Sequence, residues 1–210
     1  GDQIYADLLN RAIPLGRAEG LDEFHSRYRE AFGARYLRAQ MQRTPTYMML
    51  DDHEIEDNWC RGRLRDPGKR TVFNHAIHAY MGYQWVHGPR SEQKRLSYRF
   101  DCAGCPFFVL DQRTERIRDD DDQELADNHL LGYPAKGAFR GQLDVFCDWL
   151  VEMQATRGDV PKFVVSPSVF APNDVATLKK PWESDSWPAF PETRRRVLQT
   201  IANAGVQNVI

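Results

Sequence analysis

The stretch Thr46-Tyr47-Met48-Met49-Leu50 is apolar and rich in strand formers, and it stops abruptly at Asp51-Asp52-His53-Glu54. Four consecutive titratable groups must be paired, solvated or bound to a cation, so this junction constrains the fold more than any other. It predicts a buried strand delivering polar groups to its carboxyl end, where α/β sheets place their sites. The opening Gly1-Asp2-Gln3-Ile4-Tyr5-Ala6-Asp7 reads as a polar turn of the kind that follows a buried strand. Two strand ends would then converge, bringing Asp2 and Tyr5 toward Asp52, His53 and Glu54.

The remaining pattern supports an α/β layered domain. Apolar residues at Leu21, Phe24, Tyr28, Phe32 and Tyr36 recur every three or four positions, predicting an amphipathic helix over residues 21–43. Residues 61–70 read as a basic loop and residues 71–87 as a second helix. Leu96, Tyr98 and Phe100 alternate with polar residues, a turn follows at 101–106, and residues 107–110 return, which predicts a hairpin. Residues 114–140 form a polar stretch in which Asp119 to Asp122 suit a solvated loop. Leu143, Phe146, Cys147 and Leu150 share a helical face, residues 163–165 form a short strand, and residues 192–204 a helix closed by Gly205. Residues 206–210 begin another strand. With no internal repeat and no linker, residues 1–210 are expected to be one domain.

Composition narrows the function classes. A chain of 210 residues can bury roughly 70% of its unfolded surface, enough for a sizeable core. The 28 Lys and Arg residues against 30 Asp and Glu leave a formal charge of -2, which supplies no global attraction to nucleic acid or an anionic membrane. No run of about 18 apolar residues occurs, so no ordinary transmembrane helix is expected in these residues. Four cysteines are too few for a disulfide scaffold, and Cys102-x-x-Cys105 lacks the second pair of a zinc site, so a hairpin turn is expected there. Ser166 and Ser168 lack a nucleophile-elbow pattern, and His75 and His78 sit among apolar helical neighbours where packing is the expected role. The compartment is left open.

Carboxylate and phenolate oxygens are hard ligands suited to oxidised iron or calcium, and one carboxylate can bridge two cations. Gly-Asp-x-x-Tyr by itself is more often a local hydrogen-bonding turn of the Asx kind than a metal site. Asp-Asp-His-Glu after an apolar run is more telling, because it concentrates charge at a strand end.

Three ordered segments go further: Gly1 to Asp7, then Leu50-Asp51-Asp52-His53-Glu54-Ile55 with Asn58-Trp59, then Val109-Leu110-Asp111-Gln112-Arg113-Thr114-Glu115-Arg116. Together they resemble the signature segments of the PhoD-like (alkaline phosphatase D) phosphatases, within the calcineurin-like metallophosphoesterases, and the likeness extends loosely to the helix at residues 142–150. The resemblance implies a β-sandwich flanked by helices, truncated at both ends, with further ligand-bearing segments expected before Gly1 and after Ile210. It implies two metal ions, Fe3+ and Ca2+ ahead of Zn or Mn. Asp2 would bridge the metals, Tyr5 would bind the ferric ion, and Asp52 would hold the second metal. His53 would contact phosphate and protonate the leaving oxygen, Glu54 would orient that imidazole, Asn58 would support it from behind, and Arg113 would stabilise phosphate charge. The implied reaction is hydrolysis of phosphomonoesters or phosphodiesters by a metal-bound hydroxide. The rival expectation is an incomplete relative that retains the fold and acts only as a binding module.

Overall fold

Glycine and proline punctuate the first part of the chain. In the computed structural model, which describes residues 1–7, 16–89, 95–118, 128–133, 140–170 and 184–210, the expected first helix divides into α1 (Leu21–Gly33) and α2 (Arg35–Met41). The break falls at Ala34, whose ψ of 129° is extended, directly after Gly33, the poorest helix former short of proline. The start of α1 is held by the Glu23 carboxylate, which accepts the backbone N–H groups of Glu19 and Gly20 at 2.8 and 2.9 Å. The next helix, α3 (Pro67–Tyr83), begins four residues before its expected start. Asp66 accepts the N–H groups of Gly68 and Lys69 and Pro67 fills the first helical position, a start signal lying inside the supposed basic loop.

Contacts divide the chain into two compact units, residues 1–59 with 63–90, and residues 60–62 with 91–210. In the first, α1 packs on α3 through Tyr28, whose ring stacks on Tyr83 at 4.7 Å and 4°. The expected strand at residues 46–50 does not form among the described residues. The segment is irregular, yet Met48, Met49 and Leu50 are all buried. β-rich composition marks a segment fit for a pleated surface, but a strand needs a neighbouring strand to complete it.

The second unit is a mixed α/β layer. β1 (Tyr98–Cys102) and β2 (Cys105–Val109) pair antiparallel as the expected hairpin, with Cys102 opposite Cys105. Ala103 and Gly104 both have positive φ, 52° and 82°, which gives the two-residue loop the twist of its strands. β3 (Phe163–Val165) joins β2 in parallel, and Phe100, Phe107 and Phe163 stack across the three strands at 4.8 and 4.6 Å. On the opposite face Phe108 meets Phe146 and Trp149 of α4 (Gln142–Arg157). Leu110, Leu143, Leu150 and Val197 of α5 (Pro191–Asn203) fill out the core. Residues 208–210 start a further parallel pairing on β3, as the apolar ending predicts. Buried Lys162 spends all three ammonium protons on the carbonyls of Gly158, Val160 and Gln207. The acidic run at residues 119–122 lies outside the described residues.

Candidate metal centre

The two motif turns meet in the first unit because Gly1 lets them. A Cβ on Gly1 would fall 2.2 Å from the Asp51 Cβ, so only glycine permits this approach of the two segments. Asp2 follows with φ 57°, a left-handed conformation that aspartate tolerates at a cost of about 1 kcal/mol or more. The N–H of Ala6 donates to the carbonyl of His53 at 2.9 Å and closes the second contact between the turns.

Within this frame Asp2, Asp52 and His53 each offer a ligand atom, and these atoms lie within 4.8 Å of one another. Tyr5 joins them: its hydroxyl donates to Asp2 Oδ2 at 3.3 Å, and its ring lies 4.3 Å from the His53 ring. The other oxygen, Asp2 Oδ1, is buried with no hydrogen-bond partner among the described residues. A buried carboxylate oxygen without a donor is the feature a cation would satisfy, and the donor set of two carboxylates, a phenol and an imidazole suits hard or borderline ions.

The electrostatics run the same way. Burial and the neighbouring charges of Asp51 and Asp52 raise the Asp2 pKa above the usual carboxylate range. The Tyr5 phenol is raised chiefly by the Asp2 charge. For His53 burial opposes the charged form, but the Asp7 hydrogen bond and the charges of Asp7, Asp52 and Asp2 prevail and raise its pKa. Beside burial, each of these shifts carries a contribution from negative charge concentrated at one place, which a bound cation would offset.

The supporting residues differ from expectation in one respect. The carboxylate on the His53 imidazole is Asp7, whose Oδ1 lies 2.8 Å from Nδ1 and whose Oδ2 accepts the Asp57 N–H. Glu54, expected to orient His53, is fully buried and turned elsewhere. Its Oε2 accepts the N–H groups of Asp2 and Asp51 at 3.1 and 2.9 Å, and its Oε1 accepts the Gln3 N–H at 2.7 Å and Gln84 Nε2 at 2.9 Å. The same Gln84 nitrogen donates to the Tyr28 hydroxyl, so α1 and α3 reach the turn through this carboxylate. Asn58, also at positive φ, fastens Asp52 through its backbone: its N–H donates to Asp52 Oδ2 at 2.7 Å while its side chain donates to Asp57.

Beside His53 a cavity of about 500 Å3 is lined by Asp7, Arg17, His53, Glu56, Asp57 and Arg63. Glu56 pairs there with Arg17, with Arg63 at 2.9 Å and with Lys69 at 2.5 Å. Burial works against its charge, yet these cations hold its pKa below the usual range.

Arg113 belongs to the second unit. It is 3% exposed and pairs with Asp185 at 2.9 Å, and fully buried Arg116 pairs with the same carboxylate. The pKa of Arg116 is lowered to about 10 by burial and by Arg113 beside it. Asp111 caps its own turn, accepting the N–H groups of Arg113 and Thr114, and its backbone pairs twice with the Gln142 amide. Asp7, Gln84 and Asp185 carry no role in the sequence reading. Asp7 was visible as a further carboxylate in the first motif, whereas Gln84 and Asp185 stand in no motif.

The profile of the PhoD-like phosphatases matches residues 1–210. A solved chain described as "Structure of PhoD" aligns with a TM-score of 0.70 at 20% identity, over 100% of this chain and 43% of that one. The chain thus spans less than half the length of that relative, and none of the curated proteins matches it.

Proposed function

The chain belongs to the PhoD-like phosphatase family, and from that premise we propose that it carries the metal-binding turns of an enzyme hydrolysing phosphomonoesters or phosphodiesters. Both units are then parts of one partial catalytic domain, with the sandwich fold of the wider superfamily. The reading is supported by one observation above the rest, the convergence of Asp2, Asp52 and His53 ligand atoms within 4.8 Å on turns far apart in sequence.

Asp2, Tyr5 and Asp52 would hold two cations, Fe3+ at the tyrosine and Ca2+ at Asp52, whose full negative charge suits a hard ion. Bound there, the pair supplies Lewis acidity that lowers the pKa of water and neutralises phosphate charge. His53 moves the proton. With Nδ1 given to Asp7, Nε2 is the nitrogen left for the leaving oxygen, and the Asp7 carboxylate favours the protonated form that such a step needs. Asp7 sets the tautomer and ring plane, and Asn58 fixes one oxygen of Asp52. A role for Arg113 toward phosphate rests on its motif, beside its pairing with Asp185.

The test is release of nitrophenol from mono- and diesters by the intact protein, with Fe3+ and Ca2+ supplied or chelated. His53→Ala is expected to lower the rate about 10^2- to 10^4-fold. An unchanged rate would overturn the role given to His53, and a rate indifferent to chelation would overturn the metal site.

A further inference from the structure

Glu54 has no part in the chemistry proposed above, yet its carboxylate joins both motif turns to the end of α3. It is fully buried, and its four donors come from residues 2 and 3, which lie 52 and 51 positions away in sequence, from residue 84, 30 positions away, and from residue 51 in its own turn. One oxygen takes Asp2 N–H and Asp51 N–H together. Both motif turns are therefore held against a single atom, and the separation of the carboxylates that follow is set by its position. Asp2 has the left-handed backbone that aims its carboxylate, and the N–H groups on either side of that strained Cα, those of Asp2 and Gln3, are the two that Glu54 grips.

We infer that Glu54 is the positioning residue of the metal centre, fixing the spacing of the Asp2 and Asp52 ligands rather than orienting His53. This rests on the metal-dependent reading above. A carboxylate suits the task because all four groups facing it are donors, and only a carboxylate presents acceptors at both ends. Glutamine keeps the shape but must turn an NH2 toward one pair of donors, whichever way the amide lies. Asp2 would then lose its constraint while the hydrophobic surroundings of residue 54 stayed as they are. Gln84, which ties Oε1 to Tyr28 of α1, carries the same constraint outward to the helices.

The experiment is calorimetric titration of the full chain with Mn2+, a hard-ligand probe, alongside far-UV circular dichroism and a thermal melt to confirm folding. Glu54→Gln is expected to weaken Mn2+ binding about 10- to 100-fold, the usual effect of removing a supporting contact behind a metal ligand. Gln84→Met, which deletes one donor and keeps the volume, is expected to weaken it a few-fold with the helices intact. Equal affinity in wild type and a folded Glu54→Gln would overturn the inference and leave the proposed function standing. If Glu54→Gln fails to fold, Gln84→Met decides, and wild-type affinity there overturns the inference. A wild-type chain that binds none of Mn2+, Ca2+ or Fe3+ sinks both readings.

Discussion

The turn at residues 51–54 in the first unit and the segment at residues 110–116 in the second both follow buried apolar residues, and both bury charge. They resolve it in opposite ways. Around Glu54 the compensation is neutral: three backbone N–H groups and one amide, with Asp2, Asp51 and Asp52 crowded beside it and Asp2 Oδ1 left without a donor. In the second segment buried Arg113 and Arg116 are set against Asp185, and Asp111 is consumed by its own turn. The first arrangement gathers several carboxylates and an imidazole in a cluster that could hold a cation. The second is paired within itself, so a role for Arg113 toward phosphate would have to compete with Asp185. Burial alone therefore does not mark a site; the sign of the charge left over does.

The contrast can be broken most sharply at Asp185. Asp185→Ala leaves two buried guanidinium groups facing each other, and about 3 kcal/mol of stability should be lost, the low end for such a break because Asp185 is 31% exposed. Urea denaturation would show it, and a loss within error would mean that the arginines are compensated elsewhere. Cation binding tests the other side. At a concentration 100 times its dissociation constant, an ion held by Asp2 and Asp52 should add about 2.7 kcal/mol, read as a rise in melting temperature. Asp2→Asn should abolish that rise, and persistence of the rise would move the binding site away from the motif turns.

Acid should separate the two kinds of carboxylate further, by a smaller amount. Glu56 and Asp185 have pKa values depressed by their cations, so their contribution is complete above the unfolded carboxylate range and is lost as pH falls through the lower folded values. Glu54 and Asp111 are raised by burial, so the folded state takes up their protons first, and on mild acidification they act in the opposite, stabilising direction. Stability measured against pH should thus hold or rise slightly before it falls, and Glu56→Gln should flatten the fall. The smallest effect is expected at Arg17→Gln, about 0.5 kcal/mol or less, because Arg63 and Lys69 keep Glu56 paired and Arg17 is 35% exposed. A larger loss in a chemical melt would make Arg17 the dominant partner of Glu56.

Local patterns carried much of the architecture. The spacing of Phe24 and Tyr28 predicts the buried face of α1, the turn at residues 101–106 between an alternating and an apolar run predicts the hairpin, and Leu143, Phe146 and Leu150 predict α4. Each depends on residues within a few positions of one another, which is the range over which helix and turn geometry act. The same logic explains the errors. Residues 46–50 have strand composition but no strand among the described residues, and the start of α3 was masked by its arginine-rich surroundings although Asp66 and Pro67 announced it.

By itself the sequence determined which chemical groups the chain can bring to a site: Asp2, Tyr5, Asp52 and His53 in two motifs of hard-ligand and proton-handling residues. Only the tertiary structure decided who serves whom. It set Asp7 rather than Glu54 on the His53 imidazole, gave Glu54 the backbone of both turns, and closed Arg113 against Asp185. The reason is distance along the chain. Asp7 and His53, Asp2 and Glu54, and Arg113 and Asp185 are separated by 46, 52 and 72 positions, and a hydrogen bond formed only when folding brings such segments together leaves no periodic trace in the order of residues.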